Sequence, residues 1–180
     1  MNNDKVRDLT RMGVLAALTL VATILIRIPV PATQGYIHPG DAVLILSAWM
    51  IGQYKGSFAG ALGQGLADLF GGYAIFAPFT LIAKMLMGIL LFRAGMLLFD
   101  RERTAGKTVG GVICLILAFA AMAGTYYLVE SAMYGSFLVP IAEIPANLIQ
   151  FAFGTVMAFV IAGILMKTPA SSGFAFRRES

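Results

Sequence analysis

With 180 residues, 59% of them hydrophobic and 12% charged, the chain lies far below the roughly 25% charged residues of a soluble domain. A mean hydropathy of +0.84 agrees, so a soluble globular core is excluded and a polytopic membrane protein with room for about six crossings is expected. The net charge of +4 is informative by its location, and the single cysteine, Cys114 in an apolar segment, excludes a disulfide framework.

Segment 1 is expected from about Leu9 to Ile28, behind Lys5, Arg7 and Arg11. A signal peptide shares that pattern, but the cleavage-site chemistry is weak and a membrane helix is favoured. Pro29 and Pro31 end the segment, since proline lacks the N–H and clashes with the preceding turn. Residues 29–40 form the first loop. It contains the stretch GYIHPGD, with the one histidine, His38, close to Asp41. Segments 2 and 3 share Asp41 to Gly72, divided by Gln53-Tyr54-Lys55-Gly56 into helices of about 15 residues, short for a full span. Segment 4 is expected over about Phe79 to Phe99, segment 5 over Thr108 to Val129, and segment 6 over Pro140 to Met166. The result is an all-α integral membrane protein: a single six-helix domain over residues 1–168 and a polar, mobile tail over 169–180.

An even number of spans places both termini on one side. Of the 13 lysines and arginines, all but Arg27 and Lys84 fall on that side. The excess of positive charge makes it cytoplasmic. The loops holding GYIHPGD, GGYAIFAP and the Tyr134 region then face outside.

Polar side chains at membrane depth are costly and require a partner or a purpose. Glu143, Asn147 and Gln150 are spaced i, i+4 and i+7 on segment 6, so they share one helical face. Lys84 stands one turn after Thr80 in segment 4, and Gln64 and Asp68 share a face of segment 3. Simpler roles are open for several of them. Asp41 could cap segment 2, Lys84 and Glu143 could form a structural ion pair, and His38 could be solvated. The stripe on segment 6 calls for a polar cavity or polar neighbours. Tyr36, Tyr73, Phe76, Tyr126, Tyr127 and Tyr134 lie near one level, either as an interfacial belt or as a stacking surface for a flat heterocycle. Small residues recur at Ala59, Gly63 and Ala67, at Gly56 and Gly60, and at Gly13 and Ala17, a spacing that lets helices approach closely.

The sequence has no phosphate-binding GxxxxGK[ST] loop and no Cys/His cluster suited to zinc. No cofactor is expected. A membrane-embedded enzyme using His38 with Asp41 and a structural membrane subunit are the competing classes.

The stretches GYIHPGDAVLILSAWMIGQYKGSFAGALGQGLADLFGGYAIFAPFTLIAK (35–84) and EIPANLIQ (143–150) resemble the substrate-binding S component of energy-coupling factor (ECF) vitamin transporters, riboflavin-type branch. The resemblance covers nearly the whole chain. It implies capture of a vitamin or precursor from outside in a pocket under the first loop. It also implies docking on a membrane T component with two ATPase subunits, and toppling to release substrate inward. Gly13 and Ala17 match the spacing of the family's docking face, where alanine at both positions is commoner. The ligand expected is a small aromatic heterocycle: pyridoxine-like, a pyrimidine precursor or riboflavin. Asn147 and Gln150 would read its donors and acceptors, and Lys84 and Glu143 its charged substituents. Tyr36, His38 and Tyr73 would cover it, with Asp41 either positioning the first loop or touching the ligand.

Overall fold

The computed structural model describes residues 3–26, 28–29, 36–100, 102 and 104–175, apart from the side chains of Pro29, Tyr36, Ala170 and Ser171. Six α-helices follow in order: α1 (Asn3–Leu25), α2 (Gly40–Ile51), α3 (Lys55–Gly71), α4 (Ala77–Leu98), α5 (Ala105–Tyr134) and α6 (Ile144–Leu165). Two-residue strands β1 (Ile28–Pro29) and β2 (Tyr36–Ile37) pair antiparallel between α1 and α2, with Ile28 opposite Ile37. Short 3-10 turns precede α6 (Val139–Glu143) and follow it (Pro169–Gly173).

The expected helical bundle is present, and among the described residues four helices have the length and composition of a membrane span: α1, α4, α5, and α6 with its preceding turn. At about 1.5 Å per residue, the 12 residues of α2 reach about 18 Å, well short of a hydrocarbon core of about 30 Å. Its sequence is apolar on every side because it sits inside the bundle. Leu44, Ile45, Ala48 and Trp49 are all fully buried. Trp49 donates its indole N–H to the Leu91 carbonyl at 2.8 Å and packs edge-on against Phe99 and Phe159.

The small residues of α3 explain how α2 is enclosed. A Cβ on Gly56 would lie 2.1 Å from the Ser47 carbonyl oxygen, and one on Gly60 2.5 Å from Leu44, so this row admits α2. Gly63 faces the other neighbour, where a Cβ would lie 2.4 Å from the Ala16 carbonyl oxygen of α1. The spacing therefore serves packing inside this bundle.

Several boundaries differ from those read in the sequence. α1 stops at Leu25 rather than Ile28, because residues 28–29 enter the β ribbon. α5 is longer at both ends. Thr104 caps it by accepting the Lys107 N–H, and the helix continues through Glu130 and Ser131 to Gly135, which turns into the left-handed region at φ 60°. Among the described residues after Lys167, a 3-10 turn returns the chain to the bundle and Phe174 is buried in its core.

Candidate functional site

A buried polar network joins four helices at the end of the bundle nearest the β ribbon. Asp41, in the first turn of α2, is fully buried and accepts from three other helices. Its Oδ1 takes Gln64 Nε2 of α3 at 2.6 Å and Lys84 Nζ of α4 at 2.7 Å. Its Oδ2 takes Lys84 Nζ at 2.9 Å and Gln150 Nε2 of α6 at 2.9 Å. These four hydrogen bonds, from three donor groups, match the acceptor capacity of one carboxylate. Two opposite charges removed from water are tolerable in that geometry because each is both paired and hydrogen-bonded.

These contacts decide against two of the simpler roles left open by the sequence. The ion-pair partner of Lys84 is Asp41, not Glu143. Asp41 does not cap its helix: Pro39 occupies the N-cap, no side chain bonds there, and the carboxylate is turned to the three neighbouring helices.

Gln150 performs a second task. Its Oε1 accepts the His38 backbone N–H at 2.9 Å, while its Nε2 donates to the His38 carbonyl at 3.1 Å as well as to Asp41. One amide thus ties the first loop to α6, with both of its donors used. Within the loop, His38 Nδ1 accepts the Gly40 N–H at 3.2 Å, which leaves the ring proton on Nε2 when the imidazole is neutral. Gly154 lets α2 come this close to α6: a Cβ there would lie 2.4 Å from the Asp41 Cβ.

Above the network lies a cavity of about 200 Å³. Lys84, Gln64 and Gln150 reach it from below. Asp68 continues the α3 face begun by Gln64, Asn147 and Glu143 come from α6 and its preceding turn, and His38 and Tyr73 come from the loops. Tyr126, Glu130 and Tyr134, spaced four apart on α5, line it together with Phe76, at the N-cap of α4, and Thr80 of α4. Tyr126 donates its hydroxyl to Thr80 Oγ1 at 3.2 Å.

Of the residues expected to contact a ligand, His38, Tyr73, Lys84, Glu143, Asn147 and Gln150 all line this cavity. Asp41 lies behind its wall with a saturated carboxylate, and the Tyr36 side chain lies outside the described residues. Tyr127 turns away and donates to the Phe137 carbonyl at 2.9 Å. Two polar lining residues were missed. Thr23 looked like part of an apolar span, although it is buried at the end of α1. Glu130 looked like the start of a loop. The signal for it was the four-residue spacing from Tyr126 to Tyr134. Gly13 and Ala17 lie elsewhere, on the exposed face of α1, and a Cβ on Gly13 would meet nothing within 4 Å.

Comparison with known proteins gives a consistent result. The family model for the ECF-type riboflavin transporter S component matches residues 3–167. An uncharacterized protein in a gap 3′ region of Pyrococcus woesei is 33% identical over 149 residues, covering 82% of this chain and 93% of that one. The thiamine precursor transporter HmpT of Lactococcus lactis subsp. cremoris (strain MG1363) is 27% identical over 175 residues, covering 97% and 96%. A solved structure described as the S component of a bacterial ECF transporter superposes with a TM-score of 0.66 at 20% identity, over 91% of this chain and 97% of that one, a likeness of fold.

Proposed function

As the chain belongs to the family of ECF-type riboflavin transporter S components, we propose that it captures a small aromatic vitamin or vitamin precursor from outside the cell and delivers it inward together with a T component and two ATPase subunits. The family makes it a multi-pass membrane protein and a transporter subunit rather than an enzyme. Six crossings with both termini in the cytoplasm, and the identity of the ligand, are the finer parts of the proposal.

The cavity of about 200 Å³, with polar groups below and aromatic rings around it, carries this reading. Ligand sites for drug-sized molecules run from about 300 to 1,000 Å³. A smaller cavity suits a one-ring heterocycle better than a three-ring flavin with its polyol chain. The thiamine precursor specificity in the name of the Lactococcus relative favours a pyrimidine-type ligand, while the family description keeps riboflavin in view. In this arrangement Asn147 bonds the ring edge from α6, and Tyr73 and Tyr126 meet its faces. His38 covers it from the loop that Gln150 holds. Lys84 and Glu143 meet polar substituents, Lys84 while remaining paired with Asp41. Asp41 acts by fixing Lys84 and the start of α2, and Tyr36 belongs to the same covering loop. Gly13 and Ala17 offer α1 to the T component.

A thermal-shift screen of the detergent-solubilised protein with pyridoxine, a pyrimidine precursor of thiamine and riboflavin tests this. Stabilisation by at least one of them is expected, since a ligand that binds the folded state raises its stability by mass action. Stabilisation by none, in a folded preparation, contradicts the proposal.

A further inference from the structure

Glu130 differs from the other charged groups of the cavity. It comes from the last turns of α5, four residues from Tyr126 and four from Tyr134, and the three line one wall. Its Oε2 is buried without a hydrogen-bond partner. A carboxylate oxygen taken from water without a donor bears its desolvation uncompensated. Glu143 lies near enough to repel it. The ammonium that lines the cavity, Lys84, is held by both oxygens of Asp41 and is not spent on Glu130. An acid kept in this state is a poor structural element and a good receptor for a donor that arrives with the ligand.

Resting on the binding role given above, we propose that Glu130 is the specificity-determining residue of the cavity. Its ligand is a one-ring heteroaromatic with a cationic donor edge, an amino group beside a protonated ring nitrogen. Such an edge presents two parallel N–H donors to one carboxylate, the fork geometry that makes guanidinium–carboxylate pairs strong. Tyr126 and Tyr134 stand one turn to either side of Glu130, where their faces favour a positively charged ring. The imide edge of a flavin is the opposite case. Its single N–H is flanked by two carbonyl oxygens, which would face the carboxylate with like partial charge. Carboxylated or phosphorylated rings are disfavoured for the same reason.

The test is titration calorimetry of the full chain in detergent with 4-amino-5-hydroxymethylpyrimidine, its 4-hydroxy counterpart and riboflavin, for the wild type and for Glu130→Gln. The wild type should prefer the amino compound about ten- to hundred-fold, the range for a hydrogen bond to a charged group, and Glu130→Gln should abolish that preference. The unliganded variant should melt at or above the wild-type temperature, because an uncompensated carboxylate has been removed. A lower melting temperature would make Glu130 structural and overturn the inference. Preference for the hydroxy compound or riboflavin, unchanged in Glu130→Gln, would overturn the inference and leave the binding role standing. Binding of no heterocycle to the folded wild type would overturn both.

Discussion

Asp41 governs how four helices meet, because its carboxylate is the common acceptor for Gln64, Lys84 and Gln150. Removing the positive partner leaves a charge with no route to water, a loss of about 3–5 kcal/mol. Lys84→Met should therefore lower stability by about that much in a denaturation series, while Asp41→Leu combined with Lys84→Met should recover most of it. The groups of polar residues within one helix were legible in the sequence, because helical periodicity alone puts Gln64 with Asp68 and Asn147 with Gln150. The partnership of Asp41 with Lys84 was not legible. The two are 43 residues apart, and periodicity says which residues share a face but not which faces meet. The simpler role left open for Lys84, a structural pair with Glu143, therefore named a different acid from the one it meets, although both residues line the same cavity. Glu130 escaped because a charge after an apolar run resembles a helix end as closely as a continuation.

At the scale of elements, the position of α2 sets the site. Its short, apolar sequence is buried on nearly all sides, and its first turn carries Asp41 into the network. Gly154 makes that approach possible from α6. Gly154→Ala should push Asp41 and α6 apart, costing about 1–3 kcal/mol as overpacking does. It should also weaken ligand binding measured in parallel, since Gln150 would be moved from His38. The order of the helices and the shortness of the second and third were legible from hydropathy and from the polar break at Gln53–Gly56. Helix ends were less so. The cap at Thr104 and the stop at Gly135 are local chemistry that a hydropathy window averages away. The burial of Phe174 depends on a tertiary contact that a single aromatic residue in a polar stretch does not announce.

For the whole molecule, α1 has two faces with different fates. Ala16, Thr19 and Thr23 are buried in the bundle, whereas Gly13 and Ala17 are exposed together with Leu9, Val14 and Leu18. Small residues on an exposed face of a membrane helix are suited to close approach by another helix. Replacing Gly13 and Ala17 by leucine should leave ligand affinity within about two-fold, because the cavity is not touched, and should abolish uptake when T component and ATPases are supplied in proteoliposomes. Loss of binding in that variant would mean that α1 shapes the cavity rather than the docking face. The account depends most on the cavity being the ligand site. Asn147 lines it from α6 but takes no part in the Asp41 network, so it reports on the site without breaking the fold. The direct measurement is equilibrium titration of wild type and Asn147→Ala with the ligand that stabilises the wild type most. Affinity about ten-fold weaker in Asn147→Ala, at an unchanged melting temperature of the unliganded protein, is the predicted result. Equal affinities for the two would contradict it.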